Sequence, residues 1–136
     1  SLLTEGGRMI CVDPMEDFYT PEDTEHKEMF VNQYQRFLRN TKGLPIELRK
    51  QLSGTALPEM AAFRFDLIYI DGNHSKEAVY EDGINAFPIL KRGGIVIFDD
   101  YEWREETREG IDNFLREHDG AIDVISKGYQ VVIRKK

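Results

Sequence analysis

Two continuous apolar runs, each ending in carboxylates, dominate the pattern along the chain: 65–74, FDLIYIDGNH, and 93–101, GGIVIFDDY. A parallel strand buried on both faces reads as such a run, whereas a half-covered strand alternates. Between the two, Val79, Gly83, Ala86, Phe87 and Leu90 mark one side of a helix that Ser75 is placed to cap. Pro88 should loosen the last turn of that helix. Two strands joined by one crossover helix make a parallel pair, and ligands of open α/β sheets collect just beyond the carboxyl ends of the strands. Asp71, His74, Asp99 and Asp100 are therefore expected along one rim.

The same reading extends to both sides. Met9–Val12 is a short apolar strand that Asp13-Pro14 should stop, because proline cannot donate to a sheet ladder. A helix is expected to start near Thr20-Pro21 and to carry Met29, Phe30, Gln33, Tyr34, Phe37 and Leu38 on one face, closing at Asn40 and Gly43. Ile46 and Leu48 form a weaker strand, followed by a turn at Ser53-Gly54 and a short helix around 57–61. Arg92-Gly93-Gly94 should turn the chain into a strand at 95–98. Thr107, Ile111, Phe114, Leu115 and His118 mark a last amphipathic helix that ends at Gly120. Two strands at 122–125 and 129–133, joined by Ser126-Lys127-Gly128, are too close for a crossover and must form an antiparallel hairpin. The order predicts an α/β fold: a mostly parallel sheet with an antiparallel C-terminal hairpin, in one domain spanning 1–136.

Composition narrows the function classes. The 136 residues suffice for one domain with a core. A net charge of −7, from 18 basic and 25 acidic side chains, argues against a surface that tracks nucleic-acid phosphates. There is no apolar stretch long enough to span a membrane and no signal-peptide pattern. The single Cys11 allows no intrachain disulfide. A cytoplasmic location is the expectation.

The residues MICVDP at 9–14, FDLIYIDGNHSKEAVYED at 65–82, FPILKRGGIVIFDDY at 87–101 and the terminal GYQVVIRK together resemble class I S-adenosylmethionine-dependent methyltransferases, in their small-molecule O-methyltransferase branch. The combination at this spacing carries the resemblance; neither central fragment alone would. It implies a Rossmann-like fold. It also implies a first strand and a glycine-rich loop that the sequence does not contain, so the chain is expected to be an N-terminally truncated, partial domain, with an abnormally closed sheet or a strand supplied by a partner as the alternatives. Gly6-Gly7 precede the wrong strand to replace that loop. The missing strand would lie in the middle of the family's sheet.

The resemblance assigns roles to particular positions. Asp13, after the first visible strand, would accept hydrogen bonds from the cofactor's ribose hydroxyls, with Met15 beside the adenine. Ser53 and Gly54 occupy the turn that lies near the adenine ring, although LSGTALPEM lacks a clear acidic signature there. Asp71, Asp99 and Asp100 match the three metal-holding positions of metal-dependent members, and an oxygen-only set suits Mg²⁺ or Ca²⁺. Independently of the family, a carboxylate such as Asp71 behind four apolar strand residues needs hydrogen bonds, a metal or a substrate to offset its desolvation. His74 stands where catechol-type members place a lysine, and its ordinary pKa suits a general base near neutrality. Tyr101 and Trp103 either line an acceptor pocket or pack under the last helix. The expected activity is methyl transfer from S-adenosylmethionine to a small-molecule hydroxyl, with Mg²⁺ as the metal of a metal-assisted version. Two other readings stay open: a nicotinamide- or nucleotide-binding enzyme, and a partial domain with a structural or dimerisation role, which leaves a homodimer open.

Overall fold

The computed structural model describes residues 6–15 and 32–136, which divide into two compact units meeting between Leu52 and Ser53. The N-terminal unit holds β1 (Met9–Val12), α1 (Gln33–Asn40) and β2 (Ile46–Arg49). β1 and β2 pair in parallel, Met9 opposite Ile46 and Val12 opposite Arg49. The expected start of α1 at Thr20-Pro21, and its residues Met29 and Phe30, lie outside the described residues.

The C-terminal unit runs through α2 (Ser53–Glu59), β3 (Phe65–Ile70), α3 (Lys76–Ala86), β4 (Leu90–Phe98), α4 (Glu105–Glu117), β5 (Ile122–Lys127) and β6 (Val131–Lys135). Its four strands stand in the order β3-β4-β6-β5, so the second strand of the hairpin is the one inserted against β4. β3 and β4 are parallel; β6 is antiparallel to both β4 and β5. This is a Rossmann-like α/β arrangement. Among the described residues the strands form two separate sheets, β1-β2 and β3-β4-β6-β5.

One face of the four-stranded sheet makes the core. Across the ladder, Ile68, Val96 and Ile133 align, as do Ile70, Phe98 and Val131. Val79 and Ala86 of α3, with Ile111 and Phe114 of α4, close over them, and Leu57 of α2 packs against the same cluster. The two helices approach so closely at Gly110 that a Cβ there would lie 2.3 Å from Val79 Cγ1 and 2.5 Å from the Lys76 carbonyl oxygen. The opposite face carries Leu67 and Tyr69 beside Ile95 and Ile97, and Leu67 remains 55 % exposed. The continuous apolar run therefore does not mark a strand buried on both sides here, because α3 and α4 cover only one.

Local boundaries depart from expectation at three places. Ser53 and Gly54 are the first residues of α2 rather than a turn before it. Gly93 lies inside β4, with φ of 77°, where the pairing with β3 jumps from Leu90 to Ile95. Glycine takes that left-handed conformation without a Cβ clash, so the strand bulges and continues instead of beginning after a turn. In the hairpin, β5 extends to Lys127 after its own register shift past Val124, and the connection becomes Gly128, Tyr129 and Gln130. At α3 the expectations hold: Ser75 caps it by accepting from the Ala78 N–H, and the helix gives way at Phe87 to a single tighter turn containing Pro88.

Candidate functional site at the carboxyl ends of the central strands

β3 and β4 end side by side, and the Asp99 N–H donates to the Ile70 carbonyl at 3.0 Å, which brings the segments after both strands together. Asp71 follows β3 directly. His74 follows three residues later, where the Asn73 side chain accepts from the Ser75 N–H at 2.9 Å and turns the chain into α3. The wholly buried Thr107 hydroxyl, from the first turn of α4, donates to the His74 carbonyl at 2.9 Å. This places the imidazole Nε2 2.8 Å from Asp100 Oδ2 and 3.8 Å from Asp71 Oδ1. The Trp103 ring meets His74 at right angles, with centroids 4.7 Å apart.

Asp71, His74 and Asp100 each offer a ligand atom within 4.8 Å of the others. Asp99 is not part of that group. Its Oδ2 accepts from the Tyr69 hydroxyl. Its Oδ1 accepts from the Asp100 N–H at 2.9 Å and from Gln130 Nε2 at 3.0 Å. The two consecutive carboxylates thus point to different partners, and Asp100 makes the divergence with φ of 56°. A non-glycine residue in that region costs about 1 kcal/mol or more and is held there by its surroundings.

The charges shape proton affinity along the rim. Burial, then the charges of Asp99 and Asp100, raise the Asp71 pKa, with His74 opposing them. Burial also pushes Asp99 upward, but hydrogen bonds from Tyr69, Gln130 and the Asp100 N–H, together with the charge of His74, outweigh it and hold Asp99 below the usual carboxylate value. The bond to Asp99, with burial and the neighbouring charges, pushes the Tyr69 phenol up to about 12. The rim is a place of concentrated negative charge with one imidazole in it. Two carboxylate oxygens and one imidazole nitrogen at this separation fit a divalent cation such as Mn²⁺ or Mg²⁺, the carboxylates suiting both and the nitrogen widening the choice.

The other sequence-predicted residues are placed as follows. In the N-terminal unit, Asp13 stands at the end of β1, its N–H donating to the Arg49 carbonyl at 3.1 Å. Its Oδ1 accepts from the Met15 N–H at 2.5 Å, and Met15 is buried. In the C-terminal unit, the Ser53 hydroxyl donates to Asp82 Oδ1 on α3 at 2.5 Å. Burial raises the Asp82 pKa while the Ser53 bond opposes it. Tyr101 is buried, with its hydroxyl donating to Asp112 of α4, whereas Trp103 stays half exposed. Sequence reasoning missed Tyr129 and Gln130, because it placed them inside a strand. It also missed Thr107 as the anchor of His74; only its position on the inner stripe of α4 was visible.

The sequence matches a methyltransferase-domain family over residues 1–101. A comparison with curated proteins finds no match. Among solved structures, the fold is similar to the O-methyltransferase NovP, at a TM-score of 0.68 and 17 % identity over 95 % of this chain. It is similar to the O-methyltransferase from Bacillus cereus in complex with SAH, at 0.61 and 18 % over 96 %. A third neighbour is the MycE methyltransferase of the mycinamycin biosynthetic pathway in complex with Mg and SAH, at 0.60 and 15 % over 94 %. The chain spans about 60 % of the length of NovP, 64 % of the B. cereus protein and 44 % of MycE. Among the described residues, no helix is long and apolar enough to cross a membrane.

Proposed function

Because the chain belongs to this methyltransferase-domain family, we propose that its rim serves methyl transfer from S-adenosylmethionine to a hydroxyl of a small molecule. The observation that carries the reading is the meeting of Asp71, His74 and Asp100 beyond the ends of β3 and β4. In the reaction the acceptor oxygen attacks the sulfonium methyl carbon, the new C–O bond forms as the C–S bond breaks, and the electron pair leaves with sulfur as S-adenosylhomocysteine. His74 takes the hydroxyl proton on Nδ1, while its Nε2–H donates to Asp100 2.8 Å away, and Asp100 stabilises the imidazolium that results. Holding donor and acceptor in line supplies much of the acceleration in such a displacement.

Asp71 and Asp100 are the oxygens proposed to hold a divalent cation, which when bound would polarise the acceptor hydroxyl and favour its deprotonated form. Asp99, given as a metal ligand by the resemblance, is proposed instead to be held back by its own hydrogen bonds. Asp13 is the proposed partner of the cofactor's ribose hydroxyls, and Met15, Ser53 and Gly54 are retained as proposed cofactor contacts.

A second reading is favoured by the inclusion of His74 itself in the group of ligand atoms. In it, Nε2 binds the cation and a solvent or substrate base takes the proton. Nε2 cannot at once donate to Asp100 and bind the cation, so the two readings exclude each other. Methyl transfer to a panel of hydroxylated acceptors, followed by product mass, tests the first reading. His74→Ala should lower turnover by about 10²–10⁴-fold if His74 is the base, with Mn²⁺ binding intact. Loss of Mn²⁺ binding in the same variant favours the second reading. Unchanged turnover in His74→Ala would remove His74 from the chemistry altogether.

A further inference from the structure

We propose that Tyr129 and Gln130, at the tip of the β5–β6 hairpin, are positioning residues that set which of the two consecutive carboxylates faces His74. The inference rests on the reading of the rim as the reactive site, and it concerns residues to which neither the strand-end motif nor the family resemblance assigns a role.

The hairpin tip arrives at the rim because β6 runs antiparallel to β4, with Val131 paired to Phe98, the last residue before Asp99. From there the Tyr129 hydroxyl donates to Asp100 Oδ1, which leaves Oδ2 for His74. Gln130 Nε2 reaches Asp99 Oδ1 at 3.0 Å and the Tyr69 oxygen at 3.1 Å, completing the capture of Asp99. The backbone is tied as well: the Tyr101 N–H donates to the Tyr129 carbonyl at 2.9 Å, immediately after the left-handed Asp100. At the foot of the tip, Lys127 Nζ pairs with Asp112 of α4 at 2.8 Å, and Asp112 also receives the Tyr101 hydroxyl. Bonds from three directions therefore fix a turn whose backbone conformation is unfavourable by itself. Without Tyr129, Asp100 can rotate about its side-chain bonds, and its pairing with His74 loses definition.

The experiment uses the full chain labelled with ¹⁵N and ¹³C, as wild type, Tyr129→Phe, Gln130→Ala and Tyr80→Phe. Tyr80 is the control, since its hydroxyl makes the same kind of phenol–carboxylate bond to Glu117 away from the rim. At one fixed pH in metal-free buffer, Tyr129→Phe should move the His74 Nε2 resonance and the Asp100 carboxyl resonance, while Tyr80→Phe leaves both in place. Gln130→Ala should move the Asp99 carboxyl resonance first. Urea midpoints measured alongside separate this from general loosening, because positioning predicts the spectral change at an unchanged midpoint. A His74 Nε2 resonance identical in wild type and Tyr129→Phe would overturn the proposal. Mn²⁺ titration of the same samples keeps the underlying reading separate. Binding weakened about 10-fold in Tyr129→Phe agrees with positioning. A wild type that binds no Mn²⁺ removes the cation from the account, and the resonances still decide the role of Tyr129.

Discussion

Asp71 shows how a single side chain can weigh against the fold that carries it. It is largely exposed, yet partial burial and the nearby charges of Asp99 and Asp100 raise its pKa. Its folded value therefore lies above its unfolded one, so the folded chain binds that proton more tightly, and ionised Asp71 disfavours folding near neutral pH. Asp71→Asn should raise the urea midpoint at pH 7 in metal-free buffer. The gain should shrink as pH falls through the folded value, where the wild-type carboxyl is protonated too. A divalent cation on the rim should reverse the order, because it stabilises only the chain that binds it. Equal midpoints at pH 7 without metal would contradict this. At this scale the sequence disclosed the identity of the groups but not their orientation. Asp71 and His74 were legible from an apolar run followed by D-x-x-H. The separate fates of Asp99 and Asp100 were not, since they depend on a left-handed φ and on donors some thirty residues further along.

The elements around the rim were legible wherever hydrophobic period and caps agreed, as in α3 behind Ser75 and in α4. They were misread wherever glycine offered two solutions. Gly93 could end a turn or permit a bulge, and Gly128 could sit at the end of the connection or at its beginning; the pairing of β4 with β3 and of β5 with β6 chose the second each time. The approach of α3 and α4 gives an element-scale prediction. Alanine at position 110 would gain about 1 kcal/mol of helix propensity over glycine. Its Cβ, however, would press on the Lys76 carbonyl, which has no rotamer to escape through. Overpacking of this kind costs about 1–3 kcal/mol. Gly110→Ala should therefore lower the denaturant midpoint on balance, and a raised midpoint would show that the helices slide apart freely. Phe114→Ala, which empties a fully buried position in the same layer, should cost about 3–5 kcal/mol by the same assay.

Across the whole molecule, stability should be distributed unevenly between the two units. The buried hydrophobic cluster belongs to β3, β4, β5 and β6 with α3 and α4, whereas β1 and β2 form a two-stranded sheet with no fully buried residue in either strand. Two-stranded sheets contribute little stability by themselves. Amides of Val96 and Ile133 should thus exchange with solvent at least ~10-fold more slowly than those of Ile10 and Leu48, read by hydrogen-exchange NMR; uniform protection would contradict the division. The fold class and the rim could be read from the sequence because both follow from strand–helix–strand order. The measurement that bears most directly on the site is Mn²⁺ binding followed by electron paramagnetic resonance in the wild type, Asp71→Asn, Asp99→Asn and Asp100→Asn. One site is expected in the wild type, lost in Asp71→Asn and Asp100→Asn and largely kept in Asp99→Asn. Binding that survives in Asp100→Asn but disappears in Asp99→Asn would contradict that expectation.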